Sequence, residues 1–469
     1  MDIQKALIDL FENTINEKVE NIYPLPRSAS FRRYFRILSH NHSLIGTYNP
    51  NREENIAFLY MSDFFYNKGF NVPKIYAKDI EKNIYLQQDL GNTTLLDFVQ
   101  KYPEKKISLL RKTIDYLIKF QFVDFSQCNW SVCYPSQKYD YQTYMIDLYY
   151  FKYIVLKILK VQYNDLKLER EFKHVLNIIL SVSHKFFVYR DFQSRNILVN
   201  NNDLFFIDYQ GGRQGSLFYD LASLLYDTKL GLSEEECKNL SDYYYEKTFK
   251  LFRIEKDEFE KVLLIFALIR KLQALAAYTL KGLIERKIIF LLGIEKSFVQ
   301  TLDLFKNKFL VEKFSLLYEY LLEAKGNLPF KFQRVNVEIE INSFSYLKQG
   351  YPEDKYENGG GYVFDCRMLP NPGRYSQFKN KTGLDKEVRE WLDARFEFED
   401  YIINAFELIY KTILSYKEKG YTHLQINFGC TGGQHRSVYC AEKMAWLLKQ
   451  FFNTKINIYH RQQDSWKFL

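Results

Sequence analysis

The sequence predicts a two-lobed α+β domain followed by a small α/β domain. Short strand patterns come first, long stretches with helical spacing of Leu, Ile and aromatic residues follow, and strands then alternate with helices. A chain of 469 residues with 47% hydrophobic content is longer than one core usually needs. We therefore expect two or three domains.

The first predicted lobe covers residues 1–90 and is of mixed composition. It opens with an amphipathic helix, and its strands are expected over residues 34–38, 44–48 and 84–87. Helical spacing over residues 53–68 stops at Gly69, as expected where a glycine ends a helix. Asp89, Leu90 and Gly91 then form a natural hinge to the next lobe.

The second predicted lobe, residues 91–328, is mostly helical. Residues 324–329, Ala-Lys-Gly-Asn-Leu-Pro, break its periodicity and mark the predicted domain boundary. Residues 331–469 then alternate strands (335–341, 362–364, 424–428, 456–459) with helices (386–419 and one ending near 451). This order predicts a small α/β domain with an at least partly parallel sheet.

Composition narrows the environment and the partners. The longest unbroken apolar run, residues 262–269, is too short to span a bilayer, so we expect a cytoplasmic protein without a membrane segment. Six cysteines without a C-x-x-C pair favour reduced thiols and no structural metal. The net charge of +8 is spread along the chain without a basic arm, which suits small phosphate-bearing molecules as well as RNA.

The strongest chemical signal is the segment 188–208. It reads Val-Tyr-Arg-Asp-Phe-Gln-Ser-Arg-Asn, then two short strands joined by a polar turn, then Asp208. Such a hairpin brings Asn196 and Asp208, at its open ends, side by side. An amide oxygen and a carboxylate there suit Mg²⁺ that bridges nucleotide phosphates. Asp191, on the same loop, is the candidate catalytic base that orients or deprotonates an incoming hydroxyl.

These residues resemble the aminoglycoside phosphotransferase and choline kinase family. The resemblance lies in D-F-Q-S-R-N, F-I-D-Y-Q-G-G-R and Y-D-L-A-S-L-L. It implies an α+β protein-kinase-like bilobal fold that uses ATP and Mg²⁺, with Asp191 as the base and Asn196 and Asp208 as metal ligands. Asp220 would brace the loop. Tyr189 departs from the histidine of the protein-kinase version of this loop.

The substrate class follows from a narrower resemblance. With G-N-T-T-L-L-D after the hinge, the D-F-Q-S-R-N segment is similar to bacterial N-acetylmuramate/N-acetylglucosamine kinases of cell-wall recycling. That similarity implies phosphorylation of a sugar at its anomeric hydroxyl. Asp147, on a helix with Tyr144, Tyr149 and Tyr150, is the candidate substrate-binding acid, because polar sugar edges and C–H faces suit an acid between aromatic rings. The alternative is an ordinary solvated helix acid.

The nucleotide site lacks one expected cation. The strand over residues 44–48 has no lysine where protein kinases keep the one that grips phosphates. The polar loop before it offers hydroxyl and guanidinium donors instead, from Ser28, Ser30, Arg32 and Arg33. The alternative is that these arginines are surface charges. By analogy with the hinge, Gln88 and Asp89 would lie near adenine and contact it through backbone atoms.

A second anion site is predicted near the carboxyl end. A strand runs into the glycine-rich segment 429–437 and then a helix, which presents free N–H groups and a helix dipole to an anion. The candidate ligands here are Gly429, Cys430, Thr431, Gly432, Gly433, His435, Arg436 and Ser437, and parallel neighbours would add Asp365, Arg367, His460 and Arg461. A purely structural turn is the alternative.

Residues 335–465 resemble the C-terminal domain of the RNase adapter protein RapZ. G-C-T-G-G-Q-H-R-S carries the resemblance, with F-D-C-R-M-L-P-N-P-G before it and Y-H-R after it. That family implies binding of a sugar phosphate, glucosamine-6-phosphate, and contact with a small RNA, although the adapter's P-loop kinase domain is absent. Two other hypotheses stay open: an RNA-binding regulator with a vestigial kinase, and a cysteine-dependent phosphatase using Cys430, Arg436 and Asp365.

Overall fold

The computed structural model describes residues 2–25, 31–201, 203–354, 356 and 361–466. Two compact units are present. The first contains Met1–Ala276 with Ser297–Leu322, and the second contains Ala277–Lys296 with Glu323–Leu469. Residues 277–296 thus belong to the second unit although they lie inside the helical region that the sequence assigns to the second lobe. The predicted boundaries at 90 and 328–331 remain predictions.

The first unit begins with a five-stranded antiparallel sheet in the order β1-β2-β3-β5-β4. Its elements are α1 (Ile3–Ile15), β1 (Asn21–Pro24), β2 (Arg33–Leu38), β3 (Ser43–Tyr48), α2 (Arg52–Asn67), β4 (Ile75–Asp79) and β5 (Ile84–Gln88). Leu7 and Phe11 of α1 are fully buried against Phe35, Ile37 and Leu86 of the sheet. The amphipathic spacing of α1 therefore decides which sheet face becomes the core.

Helix α2 carries the acid that matters for the site below. Asn51 caps its first turn by accepting a hydrogen bond from the Glu54 backbone N–H. The helix ends just before Gly69, whose φ of +75° is the left-handed conformation that glycine adopts without a steric penalty. The helix predicted over residues 53–68 is present within one residue at each end.

The rest of the first unit is mainly helical. Its helices are α3 (Leu95–Lys101), α4 (Lys106–Phe122), α5 (Tyr141–Phe151), α6 (Asp165–Leu180), α7 (Phe218–Leu225), α8 (Glu234–Thr248), α9 (Lys256–Thr279), α10 (Ile288–Asp303), α11 (Lys308–Lys313) and α12 (Ser315–Gly326), of which α9, α10 and α12 cross into the second unit. Four short strands form two antiparallel pairs, β6 (Phe186–Val188) with β9 (Arg213–Gly215) and β7 (Ile197–Asn200) with β8 (Asp203–Phe206). The protein-kinase-like bilobal fold is confirmed.

The second unit contains a four-stranded sheet in the order β12-β13-β11-β15. Its further elements are β10 (Gln333–Arg334), β11 (Glu338–Ser345), β12 (Tyr362–Asp365), α13 (Lys386–Asp393), α14 (Phe396–Lys419), β13 (His423–Cys430), α15 (Arg436–Phe451), β14 (Phe452–Asn453) and β15 (Ile456–His460). All pairings in the four-stranded sheet are parallel. The predicted α/β domain with an at least partly parallel sheet is therefore confirmed.

Two predicted elements of the second unit were placed wrongly. The strand expected over 335–341 runs over Glu338–Ser345. The single helix expected over 386–419 is two helices, because Arg395 takes an extended conformation between them. Contacts distant in sequence accompany this break, since the Asp393 carboxylate accepts hydrogen bonds from Tyr439 and Lys443.

One helical stretch of the described chain, Lys256–Ile284, is long and apolar enough to cross a membrane by length and composition. Of its most apolar window, 72% is buried inside the structure. A buried core helix passes the same test, so this stretch is weak evidence for a membrane span.

Candidate active site

Strands β7 and β8 bring two oxygen-bearing side chains together. Ile197 pairs with Phe206, and the Ile207 N–H donates to the Asn196 carbonyl, which places Asn196 beside Asp208. Asn196 Nδ2 lies 3.2 Å from Asp208 Oδ2 and donates to the Asp191 carbonyl at 2.8 Å. Asp208 has a φ of +72°, a left-handed conformation that is uncommon for aspartate. The backbone therefore holds Asn196, Asp208 and Asp191 around one point.

The loop that carries Asp191 is fixed from behind by Asp220. Buried in α7, Asp220 accepts hydrogen bonds from the backbone N–H groups of Tyr189 at 2.6 Å and Arg190 at 2.9 Å. Burial raises the pKa of Asp220 to about 7, and these two hydrogen bonds oppose the shift. This geometry matches the bracing role that the sequence predicts for Asp220.

Two further contacts support the loop and were missed by sequence reasoning. Asp227 accepts a hydrogen bond from the Ser194 hydroxyl at 2.7 Å. Tyr189, which stands where protein kinases have histidine, donates its hydroxyl to the Ile207 carbonyl at 2.5 Å. The contact of Asp227 spans 33 positions in the chain and that of Tyr189 spans 18. No motif around either residue indicates such a distant partner.

The electrostatic surroundings of Asp208 favour a cation. Burial and the neighbouring carboxylate of Asp191 raise the pKa of Asp208, while Arg32 and a hydrogen bond from Gln210 oppose the shift. Carboxylates held close together in this way are stabilised by a bound cation. Over the described ranges, no group of three or more His, Cys, Asp or Glu side chains is placed to hold a metal ion. Two protein ligands fit a metal whose other ligands are nucleotide phosphates and water.

Arg32 lies between the carboxylates of Glu54 and Asp208. It precedes β2 directly and is only 3% exposed, with Nη2 at 3.0 Å from Glu54 Oε1 and Nη1 at 3.6 Å from Asp208 Oδ1. The Arg32 side chain is buried, so it is not the surface charge of the alternative interpretation, and its contact with nucleotide phosphates stays a prediction. Sequence reasoning also missed Glu54. The one hint in the sequence is an acidic residue in the helix that follows a strand without lysine.

The other residues predicted to contact the nucleotide are Ser28, Ser30, Arg33, Gln88 and Asp89. Ser28 and Ser30 lie outside the described residues. The Arg33 side chain is over the Phe35 ring at 5.3 Å. The Asp89 carboxylate is paired with Arg36 through two hydrogen bonds of 2.7 and 2.9 Å, and Gln88 Oε1 accepts from the Lys74 N–H at 3.4 Å. These contacts leave the Asp89 side chain occupied, consistent with the expectation that only hinge backbone atoms would contact a base.

Asp147 is not the solvated helix acid of the alternative interpretation. Its Oδ1 accepts a hydrogen bond from Gln273 Nε2 at 2.9 Å, whereas its Oδ2 is shielded from solvent without a hydrogen-bond partner in the described chain. Burial raises the pKa of Asp147 to about 6, against the opposing effects of Arg270, Arg190 and Arg213. The hydroxyl of Tyr149, one of the expected flanking aromatics, donates a hydrogen bond to Glu169 at 3.2 Å.

The glycine-rich loop of the second unit joins β13 to α15 and is folded around the Cys430 thiol. Cys430 Sγ accepts a hydrogen bond from the Gly433 N–H at 3.2 Å and lies 3.1 Å from Ser437 Oγ. Thr431 and Gly432 are exposed at the tip. Gly433 has a φ of +65°, and a Cβ there would lie 2.6 Å from Gln462 Cγ. Gly429 packs against Phe344 and Tyr346, so the loop needs glycine at both positions.

Two predicted ligands of this loop are used for structure instead. Arg436 is buried, and its Nη1 donates to the carbonyls of Arg367 and Leu369 at 2.9 and 3.0 Å. His435 Nε2 lies 2.9 Å from the Phe378 carbonyl. Arg436 Nη1 is therefore engaged by backbone carbonyls, and both the anion-binding and the cysteine-phosphatase interpretations would depend on the other guanidinium donors.

The neighbouring strand ends do converge on the loop, but their side chains pair with one another. Asp365 and Arg367 form a bidentate ion pair with a shortest distance of 2.6 Å. His460 Nδ1 lies 2.9 Å from Ser343 Oγ. Arg461 donates to Asn342 at 2.8 Å and to Glu340 at 3.1 Å. A ligand would have to compete with these contacts or use loop N–H groups.

Comparison with known protein families finds two matches in this chain. Residues 21–248 match the phosphotransferase enzyme family, and residues 337–464 match the RapZ C-terminal domain. The first match contains Asp191, Asn196 and Asp208, and the second contains the glycine-rich loop.

Curated relatives and solved structures give narrower similarities. A nucleotide-binding protein of Thermotoga neapolitana is 36% identical over 25% of this chain and 40% of its own length, and one of Fusobacterium nucleatum is 37% identical over 28% and 44%. The chain thus spans less than half the length of these relatives. The crystal structure of choline kinase LicA from Streptococcus pneumoniae, 11% identical, covers 70% of this chain and 99% of its own with a TM-score of 0.42.

Proposed function

Because the chain joins a domain of the phosphotransferase enzyme family to a RapZ C-terminal domain, we propose that it transfers the terminal phosphoryl group of ATP to a sugar hydroxyl. The observation that carries this proposal is the meeting of Asn196 and Asp208 at 3.2 Å beside the Asp191 loop. Phosphoryl transfer depends mainly on positioning and charge stabilisation, and this loop and hairpin provide both.

Each residue of the site has a distinct task in this proposal. Asn196 and Asp208 would hold Mg²⁺, which offsets phosphate charge when bound. Asp191 accepts a hydrogen bond from the attacking hydroxyl and takes its proton as the new P–O bond forms, while the bond from the γ-phosphorus to the bridging oxygen breaks and ADP leaves. Asp220 and Asp227 keep the loop in place by their hydrogen bonds to residues 189, 190 and 194.

Arg32 supplies the cation that a lysine-free β3 does not. Its pairing with Glu54 fixes the guanidinium within 3.6 Å of Asp208, so its charge acts where metal and phosphates would meet. A buried guanidinium keeps its proton at any working pH and needs little reorganisation on binding. Ser28 and Ser30 remain candidates for direct phosphate contacts.

For the acceptor we propose an amino sugar, N-acetylmuramate or N-acetylglucosamine, phosphorylated at the anomeric hydroxyl, in the cytoplasm and in cell-wall recycling. The similarity of the segments 91–97 and 191–196 to kinases of these sugars supports this choice. The purified full chain, labelled ATP and a panel of both sugars, choline and an aminoglycoside test it. Label is expected on the sugars; label only on choline or the aminoglycoside would overturn the proposal.

The second unit is proposed to bind a sugar phosphate at residues 429–437. Exposed Thr431 and Gly432 at the loop tip support binding by backbone N–H groups. Gly432→Ala and Gly433→Ala form a matched pair, because a Cβ meets no atom within 4 Å at Gly432 but lies 2.6 Å from Gln462 at Gly433. Titration calorimetry with glucosamine-6-phosphate should show binding to Gly432→Ala and loss of binding in Gly433→Ala. Absence of binding to the unmodified protein would end this part of the proposal.

A further inference from the structure

The side of the active site next to Asp191 contains an open guanidinium. Arg190 has a φ of +80°, its backbone N–H is held by Asp220, and its Nη1 lies 3.9 Å from Asp191 Oδ2. The Arg190 side chain is 38% exposed, and the 3.9 Å to Asp191 Oδ2 is longer than a hydrogen bond. It runs directly over Gly211, where a Cβ would lie 2.7 Å from Arg190 Cδ. Gly211 therefore leaves the space in which this side chain extends along the site.

A second guanidinium lies deeper in the same region. Arg270 of α9 is 8% exposed and donates from Nη1 to the Tyr219 hydroxyl at 2.7 Å and to Gln273 Oε1. Its Nε is buried without a hydrogen-bond partner among the described residues. Burial without a partner costs free energy, so a bound group that accepts from Nε would be favoured there.

Asp147 adds a buried hydrogen-bond acceptor without a donor among the described residues. Gln273 bridges the two, since its Nε2 donates to Asp147 Oδ1 while its Oε1 accepts from Arg270. Asp147 Oδ2 is left as a buried acceptor. Arg190 acts electrostatically on both Asp147 and Asp191, so the acceptor-side groups and the catalytic loop share one electrostatic environment. We call Arg190, Arg270, Gln273 and Asp147 the arginine subsite.

Of the three arginines that act on Asp147, Arg190 has a carboxylate at ion-pair distance among the described residues, with Asp191 Oδ2 at 3.9 Å from its Nη1. Arg213, the third arginine near Asp147, is held by the Gly211 carbonyl and the Ser136 hydroxyl and lies over the Tyr139 ring. In the part of the chain that the structure describes, neither Arg213 nor Arg270 has a carboxylate at ion-pair distance, and Asp147 forms no ion pair. A cationic acceptor would meet unpaired guanidinium groups here, whereas an acidic group would pair with them.

We propose that the arginine subsite selects an acceptor that carries an acidic group, which Arg190 and Arg270 bind while Asp147 accepts a hydrogen bond from a hydroxyl or amide of the same molecule. This inference rests on the proposed function, because it assigns the acceptor side of that site. It names a carboxylate or phosphate substituent on the sugar as the feature that is recognised.

The test uses acceptors that share one ring. N-acetylglucosamine is neutral, N-acetylmuramate adds a carboxylate, N-acetylglucosamine 6-phosphate adds a phosphate, and glucosamine carries an amine. With the full chain, kcat/KM for at least one acidic sugar should exceed that of the neutral sugar about 10-fold or more, as a charge-assisted hydrogen bond provides. Which acidic sugar is preferred identifies the group. Equal kcat/KM for neutral and acidic sugars would overturn the proposal.

Variants locate the effect. Arg190→Gln should lower the ratio of kcat/KM for the acidic sugar to kcat/KM for the neutral sugar about 10-fold, whereas a general loss of loop geometry would lower both values alike and leave the ratio unchanged. Arg270→Gln should show the same loss of preference if the variant folds. If it does not fold, the result for Arg190→Gln alone decides whether the arginine subsite binds the acidic group. Arg52→Gln, which removes an exposed ion pair with Glu81, is the matched control. An unchanged preference in Arg190→Gln would contradict the assignment.

Binding measured by calorimetry distinguishes a wrong assignment of the arginine subsite from a wrong proposed function. If no sugar is phosphorylated, the proposed function has failed, and calorimetry with ADP, Mg²⁺ and each sugar still tests the subsite. Tighter binding of an acidic sugar that is lost in Arg190→Gln supports the subsite; equal binding of acidic and neutral sugars contradicts it.

Discussion

Asn196 Nδ2 lies 3.2 Å from Asp208 Oδ2, although twelve residues separate them in the chain. The pairing of β7 with β8 produces this contact, and the Asn196 donor bond to the Asp191 carbonyl ties it to the loop that would perform the chemistry. The hairpin thus sets the positions of Asn196 and Asp208, and the Asn196 side chain links them to the backbone of Asp191.

Replacement of either proposed metal ligand should shift the Mg²⁺ requirement. In Asn196→Ala and Asp208→Asn, the Mg²⁺ concentration for half-maximal activity should rise at least about 10-fold, because the first change removes an oxygen ligand and the second removes the negative charge of the other ligand. Activity measured over a Mg²⁺ series at saturating ATP checks this. Asn200→Ala, at the turn end of the same hairpin, is the control. A Mg²⁺ dependence that matches the control would refute the ligand assignment.

Loss of the Glu54 carboxylate should weaken both stability and ATP binding. In Glu54→Gln, buried Arg32 loses its closest charge partner, which typically costs about 3 kcal/mol of unfolding free energy. Urea denaturation and ATP titration measure the two effects. Glu53→Gln, an exposed neighbour in the same helix, should change neither. Equal stability of the two variants would show that the Arg32 pair contributes little.

The buried Asp147 carboxylate should lower the free energy of unfolding at neutral and alkaline pH. Its pKa is raised to about 6 in the folded protein, above its usual value near 4, so the folded state binds more protons between these values. The free energy of unfolding contributed by Asp147 therefore falls as pH rises through 6. Asp147→Asn should raise that free energy by about 1–3 kcal/mol at pH 8 and by about half as much at pH 5, which lies midway between the two pKa values.

Denaturation of Asp147→Asn at both pH values tests this, with exposed Asp257→Asn as the control. A gain of equal size at pH 5 and pH 8 would show that charge burial is not the cause. Asp147→Asn should also bind the sugar substrate more weakly, because the carboxylate that would accept a hydrogen bond from the sugar is replaced by an amide.

Removal of residues 331–469 should not leave an intact first unit. Residues 277–296 belong to the second unit, where Leu283, Leu291 and Ile294 help line a cavity of about 110 Å³ with Phe330 and Phe451. Truncation exposes this apolar surface. Light scattering and thermal unfolding should show association and a lower Tm than the full chain. A monomeric truncated protein with unchanged Tm would contradict the assignment of 277–296.

The sequence allowed prediction of the elements whose pattern is local. The hairpin carrying Asn196 and Asp208 has strong strand patterns and a polar turn, and helix α2 has helical spacing and a terminal glycine. These elements are present within a residue or two of their predicted bounds. Local propensity and hydrophobic period were sufficient for them.

Side-chain partners could not be predicted in the same way. Arg32 looked like a loop donor, yet it is buried with Glu54, which lies 22 positions away on another element. Arg436 looked like an anion ligand, yet it donates to carbonyls 67 and 69 positions distant. Such contacts depend on how elements pack, and one sequence without homologues contains no signal for packing partners. The break before Phe396 has the same origin, because no glycine or proline marks it.

The most direct test of the account compares the unmodified protein with Asp191→Asn in phosphoryl transfer from labelled ATP to N-acetylmuramate and N-acetylglucosamine. Asparagine keeps the shape of the side chain but cannot take the proton of the attacking hydroxyl, so kcat should fall by about 10²–10⁴-fold while ATP affinity changes little. A phosphorylated sugar formed by the unmodified protein and nearly absent with Asp191→Asn is the expected result. Equal turnover by the two proteins would contradict the account.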